Sequence, residues 1–276
     1  DREQLIKWMR ERPKGNYRIV EFNKENNDII VVIPTMDVNG KFALNCRNEI
    51  FKGLHIIFVE SGYNNYYFNY AHNCNAGIKK AIEYNPKWII VSNDDMYKID
   101  DISSLVEQLK NINENKIGIC YAYPPARYYS ATNYISKIRK IRYLINKFLP
   151  IDKKIPFEIK HKFNVNYIIS GKGIINFFFY KRIFKYTDPI SFMILSSNMT
   201  KEFFDHEGFV FDPVYINCHE ESDLAIRIHK SEWKITWINY KIGFYIGGSI
   251  GTGLQRTIRD TIGAVYFSYK WERKLN

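Results

Sequence analysis

The sequence predicts an α/β fold: one domain built on a mostly parallel central sheet flanked by helices. Short runs that are almost wholly apolar, such as "IIVVIP" (29–34), "HIIFVES" (55–61) and "KWIIVS" (87–92), alternate with stretches of helical spacing. Strands with no polar face are those buried on both sides, the pattern of parallel sheets covered by helices. With 276 residues, 46% of them hydrophobic, the chain has material for one large core.

Taken in order, the first 28 residues are polar, with helical spacing over 2–10 and a loose lead-in after it. The run 29–34 reads as a buried strand closed by Pro34, and 41–52 as a short helix. A second strand at 55–61 is followed by the loop "GYNNYYFNY". Helical spacing over 69–84 places Ala71, Ile78, Ala81 and Ile82 on the apolar side. The third strand, 87–92, precedes "DDISSLVEQLKNI", a helix opened by Asp at a capping position. "KIGICYAY" (116–123) is the fourth strand. From 126 to 199 the pattern is irregular and aromatic-rich and predicts no defined element. "EESDLAIRIHKSEW" (220–233) predicts a helix, "KITWI" (234–238) a strand, "YIGGSIGTG" (245–253) a glycine-rich loop and 254–271 a last helix.

Composition narrows the function classes. The longest apolar runs, "IIVVI" (29–33) and "IINFFFY" (174–180), fall short of the roughly 18 residues of a membrane span. Cys46, Cys74, Cys120 and Cys218 lie far apart without a CxxC pair, which argues against a zinc ribbon or disulfide scaffold and for a reducing, cytoplasmic setting. The net charge of +11 attracts anions: nucleic acid, nucleoside diphosphates or an acidic membrane surface. Basic residues at 137, 139, 140, 142 and 147 interleave with Ile138, Ile141, Ile145 and Phe148. That spacing fits a basic amphipathic helix, which either touches the inner face of a membrane or packs on the body by its isoleucines. His206, His219 and His229 do not repeat at metal-ligand spacing. The glycine-rich loop lacks the Lys-Ser/Thr of a P-loop, and no GxGxxG follows the first strand.

Chemistry concentrates in "WIIVSNDDMYKID" (88–100), where a buried strand ends in adjacent carboxylates. Ligands of such sheets sit beyond the carboxyl ends of the strands. Pro34-Thr35-Met36-Asp37, Glu60-Ser61-Gly62 and Asn93-Asp94-Asp95 should therefore meet at one crevice. Paired carboxylates there are costly unless matched by cations. Asn93 and Asp95 offer hard oxygen donors one residue apart, suited to Mg²⁺ or Mn²⁺ holding a diphosphate. The plainer alternative is a turn that caps the next helix. In the second acidic cluster, Glu220, Asp223 and Arg227 share a helix face and Glu221 points elsewhere. Asp223 and Arg227 also suit a structural ion pair, and the helix dipole alone favours acids in the first turn.

Together these motifs give the chain a resemblance to family 2 type inverting glycosyltransferases of the GT-A fold, a Rossmann-like architecture. "VVIPTMDVNG" is similar to that family's opening strand and loop, and "FVESGYNN" stands where a strand usually ends in Asp-Asp/Asn-Gly-Ser. "NCNAGIKKAI" resembles its Arg-Asn-x-Gly-Ile helix start through Asn75 and Gly77, and "VSNDDM" its metal motif. "CHEESDLAIRI" resembles its Glu-Asp-x-Asp-Leu-x-x-Arg helix through Glu220, Asp223, Leu224 and Arg227. The motifs cover about 29–122 and 205–250 in the family's order.

The resemblance implies a lead-in (1–28), a GT-A domain (29–253) with nucleotide-binding (29–122) and acceptor (123–253) halves, and a basic C-terminal helix (254–276). It implies a metal-dependent hexosyltransferase that moves a sugar from a nucleoside-diphosphate carrier to an acceptor hydroxyl of a glycan or lipid-linked glycan. Pro34, Thr35, Asp37, Glu60, Gly62, Asn75 and Asp94 would line the nucleotide site, with Asp95 and Asn93 on Mg²⁺ or Mn²⁺. Glu221 stands at the catalytic-base position, where Glu replaces the family's Asp and is one methylene longer, so Glu220 is a second candidate. Phe244 and Tyr245 stand where related enzymes often carry a His; Asp223, Ser249, Arg256 and Arg259 are then candidates for the acceptor or diphosphate.

The chemistry is self-consistent, since displacement at an anomeric carbon needs a base for the incoming hydroxyl and neutralisation of the departing diphosphate. Rival readings are a nucleotidyltransferase, for which "PTMDVNG" lacks the usual Gly-rich basic loop, a nucleic-acid-binding module and a catalytically silent transferase fold. On the transferase reading no nucleic-acid partner is expected.

Overall fold

The structure, a computed structural model, describes residues 1–63, 65–123, 127–133, 168–170, 181–188, 191–245 and 254–271. The basic stretch 137–147, Ser249 and most of the glycine-rich loop lie outside the described residues. The elements are α1 (Arg2–Glu11), β1 (Arg18–Phe22), β2 (Ile29–Thr35) and α2 (Lys41–Asn45), which runs into a π-helical turn (Cys46–Ile50). There follow β3 (His55–Glu60), α3 (Tyr70–Ile82), β4 (Trp88–Ser92), β5 (Met96–Lys98), α4 (Ile102–Lys110) and β6 (Ile117–Tyr123). The remainder are β7 (Arg127–Asn133), β8 (Ile168–Ser170), β9 (Lys181–Asp188), β10 (Phe192–Ser196), α5 (Ser197–Glu207), α6 (Glu220–Lys230), β11 (Lys234–Phe244) and α7 (Leu254–Trp271).

Eight strands form one sheet in the order β1-β3-β2-β4-β10-β6-β11-β5, and β8-β7-β9 form a small antiparallel sheet. The large sheet is mixed rather than mostly parallel: β3/β2, β2/β4 and β6/β11 are parallel, the other four pairings antiparallel. β2, β3, β4, β6 and β11 still run the same way. The reversal comes from β10, inserted between β4 and β6, and from the edge strands β1 and β5. Those are the three strands without a legible signal. β1 is half-exposed "RIVEF", β5 has three residues, and β10 lies in the aromatic-rich region. Pro34 does not close β2, because in a parallel ladder it sits opposite Val59 and the strand continues to Thr35.

The central strands are buried on both faces, as their composition demands. Along β2, Val31 and Ile33 join one apolar cluster with Phe51, Ile56, Phe58 and Ile90, while Ile30 and Val32 join the opposite one with Ile57, Cys74 and Ile78. α3 lies so close that a Cβ on Gly77 would stand 2.3 Å from Val32 Cγ1. Glycine is therefore the residue that lets this helix seat on the sheet. A third cluster joins α1 to α6 and α7 through Ile6, Met9, Ile226, Tyr266, Phe267 and Trp271. Asp1 caps α1 by accepting from Gln4 N at 2.8 Å, so the polar lead-in is a structured element. No helix among the described residues is long and apolar enough to cross a membrane.

Candidate functional site

The parallel strands β2, β3 and β4 deliver their C-terminal residues to one rim. There the Thr35 hydroxyl donates to Asp94 Oδ2 at 2.8 Å, with the Asp37 carbonyl as a longer alternative acceptor at 3.3 Å. Glu60, ending β3, accepts from Val38 N at 3.1 Å and pairs with Arg18, so its carboxylate holds the turn after β2. Asp37 in that turn accepts from Asn39 N at 2.8 Å and from the Tyr63 hydroxyl at 3.4 Å. Gly62 takes φ of 70°, a left-handed turn position with open space around its Cα. Pro34, Thr35, Asp37, Glu60 and Gly62 thus stand together, with Asp94 joined to them.

Asp94 and Asp95 are both buried, at 5% and 7% exposure. The Cys46 thiol, pushed up by burial and then by these two carboxylates, donates to the Asp94 carbonyl at 3.2 Å. The Asp95 carbonyl accepts from Tyr245 N at 2.8 Å, which sets the end of β11 beside the carboxylates. The Tyr245 ring stands 5.1 Å from Tyr97 and 6.2 Å from Phe42. Gly243 faces Tyr97 across the β5–β11 ladder, and a Cβ there would sit 2.0 Å from that ring. The position where a His was expected thus lies against the candidate metal residue, but carries an aromatic wall.

Ser191 brings the second acidic cluster to this rim. Its carbonyl accepts from Asn93 N at 2.8 Å and its N–H donates to Glu221 Oε1 at 3.4 Å. One residue, in a left-handed conformation with φ of 62°, thus spans the end of β4 and the first turn of α6. Tyr70 is the other link: its hydroxyl donates to Asn93 Oδ1 at 2.8 Å, and burial, then Cys74, Glu221 and Glu220, push its pKa up. Sequence reasoning did not reach Tyr70 or Ser191: Tyr70 stands where the loop "GYNNYYFNY" gives way to a helix, and Ser191 lies in the aromatic-rich region that predicts no defined element.

Adjacent glutamates have different surroundings. Two successive left-handed residues, Cys218 and His219, lead into α6 with φ of 79° and 71°. Such conformations cost about 1–3 kcal/mol each and hold only where the surroundings enforce them. Here α7 does so, since a Cβ on Gly263 would stand 2.8 Å from the Cys218 carbonyl oxygen. Glu220 is buried, its Oε2 has no hydrogen-bond partner among the described residues, and desolvation pushes its pKa up to about 7. Glu221 keeps partial exposure at the rim. The two neighbouring carboxyls therefore sit in different environments, one buried and raised, the other partly exposed at the rim.

Other sequence candidates are committed elsewhere. Asn75 donates to the Phe211 carbonyl at 2.6 Å and accepts from Val210 N at 3.1 Å and Phe211 N at 2.9 Å. Both its oxygen and its nitrogen tie α3 to the segment before α6, which fixes the amide there. Asp223 is fully buried among Arg227, Lys270, Trp271 and Tyr215, as a clasp between α6 and α7 rather than a ligand of acceptor or diphosphate. Burial, then Glu220 and Asp260, push the Cys218 thiol up, with Arg256 close enough to oppose them, and burial, then Arg259, lower the pKa of the Arg12 guanidinium.

Among the described residues, no three His, Cys, Asp or Glu side chains group as a ligand set. A hard cation of the Mg²⁺ kind would need only one or two carboxylates plus substrate phosphates. Asp95 and Asp94 supply such oxygens. Asn93 is a weaker donor than expected, because its Oδ1 accepts the Tyr70 hydroxyl. Compared with protein-family models and with curated proteins, the chain matches none.

Proposed function

We propose that the chain is a metal-dependent inverting glycosyltransferase of the GT-A type, taking a sugar from a nucleoside diphosphate to an acceptor hydroxyl. The observation that carries this reading is the meeting of Thr35–Asp94, Asn93–Ser191–Glu221 and Asp95–Tyr245 at one end of the sheet. Two acidic segments far apart in the chain, 93–95 and 220–221, thus share a rim with the ends of β2 and β11, the usual place for ligands in α/β sheets.

On this reading Glu221 takes the proton of the acceptor hydroxyl as its oxygen bonds to the anomeric carbon. The bond from that carbon to the diphosphate oxygen breaks on the opposite face, with inversion. Glu220, buried behind it, supports proton holding at the same helix start. Asp95, with Asp94 or Asn93, would hold Mg²⁺ or Mn²⁺, which when bound supplies charge neutralisation for the departing diphosphate. Tyr97, Tyr245 and Phe42 wall that position. A glycan or lipid-linked acceptor, and contact with the inner membrane face, remain part of the same proposal.

The test is a panel of nucleotide-sugars incubated with the chain and Mn²⁺, reading release of nucleoside diphosphate with and without added glycans. Loss of a general base costs typically ~10²–10⁴-fold in rate, so Glu221→Gln should fall into that range, and Asp95→Ala should lose metal dependence. Turnover equal to the parent in both variants overturns the assignment.

A further inference from the structure

Beside the rim, sharing the loop after β3 with it, lies a cavity of about 450 Å³ walled by Lys14, Asn16, Ser61, Tyr63, Asn65 and Tyr67. Its volume falls within the ~300–1,000 Å³ of small-molecule sites. It is built by folding the lead-in over the loop after β3. Gly15 N donates to the Tyr67 carbonyl at 2.6 Å, Arg12 Nη2 to the Tyr66 carbonyl at 2.9 Å, and Asn65 Nδ2 to Asn16 O at 2.9 Å and Ser61 O at 3.1 Å. Gly15 is required for the fit, because a Cβ there would meet the Asn65 amide at 2.2 Å.

The lining sets one cation, Lys14, among two tyrosines and two asparagines, and Arg12 stands outside it over the Tyr67 ring. Lys14 Nζ donates to the carbonyls of Arg12 at 3.1 Å and Arg10 at 3.3 Å, which leaves one N–H without a partner among the described residues. The Arg12 guanidinium stands 5.5 Å from the centre of the Tyr67 ring. Arg12, Lys14 and Arg259 are close enough that burial and then a neighbouring cation lower the pKa of the first two. The carboxylate within reach of Lys14, Asp212, is already engaged by Lys270 at 2.7 Å, the Tyr266 hydroxyl at 3.0 Å and Val214 N at 3.0 Å. Gathering like charges is costly unless an anion joins them, and aromatic rings with amides suit the apolar face and hydroxyls of a sugar ring.

We infer that this cavity is a second ligand site, taking an anionic sugar whose phosphate or carboxylate meets Lys14, with Arg12 as further positive charge beside the lining, while its ring lies along Tyr67 and Tyr63. Its role as the acceptor's charged portion rests on the transferase reading; the binding itself does not. Tyr63 connects the two places, since it lines the cavity and reaches Asp37 in the turn after β2.

The experiment is calorimetric titration of the full chain with glucose 6-phosphate, glucuronate and neutral glucose, each with and without saturating nucleoside diphosphate and Mn²⁺. At least one anionic sugar should bind at least ten-fold tighter than glucose, and the phosphate and carboxylate arms identify which anion is preferred. Lys14→Met, which keeps the apolar stem, and Tyr67→Ala should each weaken that binding at least ten-fold with an unchanged melting curve. The inference is overturned if glucose binds as tightly as either anion, if neither anion binds at millimolar concentration, or if both variants bind like the parent. Competitive displacement by the nucleoside diphosphate also overturns it, by merging the cavity with the donor site. Anionic-sugar binding without any nucleotide-sugar binding would instead sink the transferase reading and leave this site standing.

Discussion

Replacing Asp223 by Asn removes one negative charge from an enclosed cluster while keeping the side chain's shape. Asp223 accepts from Arg227 Nε at 2.9 Å, Lys270 Nζ at 2.8 Å, Trp271 Nε1 at 2.9 Å and the Tyr215 hydroxyl at 3.3 Å. Asp212 still reaches Lys270 at 2.7 Å and Glu207 reaches Arg227 at 3.4 Å, so the two cations are left under-matched rather than bare. Breaking a buried ion pair from one side costs about 3–5 kcal/mol. At about 2–4 °C per kcal/mol, Asp223→Asn should lower the melting temperature by roughly 6–20 °C. Burial pushes the Asp223 pKa up, yet Arg227 and then Lys270 outweigh it and hold it below its ordinary 3.8. The stabilisation is therefore present above that ordinary value and lost as pH falls through the lowered folded one. Melting curves of parent and variant, followed by circular dichroism from pH 7 downward, should converge in acid. A melting temperature within about 2 °C of the parent at pH 7, with diphosphate binding lost, would refute the clasp and make Asp223 a ligand.

Three further outcomes follow from the packing and the carboxyl environments. Gly77→Ala forces a methyl against Val32 and Val59 and should cost about 1–3 kcal/mol in thermal or urea unfolding; a neutral result would mean α3 lifts off freely. Asn75→Ala strips the partners from Val210 N, Phe211 N and the Phe211 carbonyl, about 1–3 kcal/mol for each group left unsatisfied, while nucleotide affinity of the folded fraction should hold. With the Glu220 pKa raised from 4.5 to about 7, its contribution to stability is complete below 4.5 and lost as pH rises through about 7. Glu220→Gln does not titrate, so its melting temperature relative to the parent should rise between pH 5 and pH 8; a pH-independent difference counts against a buried, proton-holding carboxyl.

Much of the frame is legible in the residues because burial on both faces writes itself into composition. "IIVVI" and "WIIV" have no polar face to offer water, so β2 and β4 are readable as central strands without knowing their neighbours. Asp101, capping α4 by accepting from Ser103 N, is similarly local and similarly readable. The strands that escaped notice are those whose signal is not local. "RIVEF" is an edge strand with intermediate burial, and β10 runs against its neighbours, a direction that composition does not encode. The consequence was a sheet expected to be mostly parallel and found to be mixed.

The candidate site divides the same way. The sequence alone determined which side chains carry charge and hard oxygens, and that Asp94 and Asp95 end a strand, because these depend on residue type and local pattern. Tertiary structure alone decided which of them meet: that Ser191 spans Asn93 and Glu221, and that Tyr245 reaches Asp95. It also decided which are consumed, since Asn75 and Asp223 look like ligands by motif but are tied to Val210 and Phe211 and to Lys270 and Trp271. The physical reason is desolvation. A buried polar group must find its partner wherever the fold brings one within about 3 Å, and that partner is set by packing of whole elements rather than by neighbours in sequence.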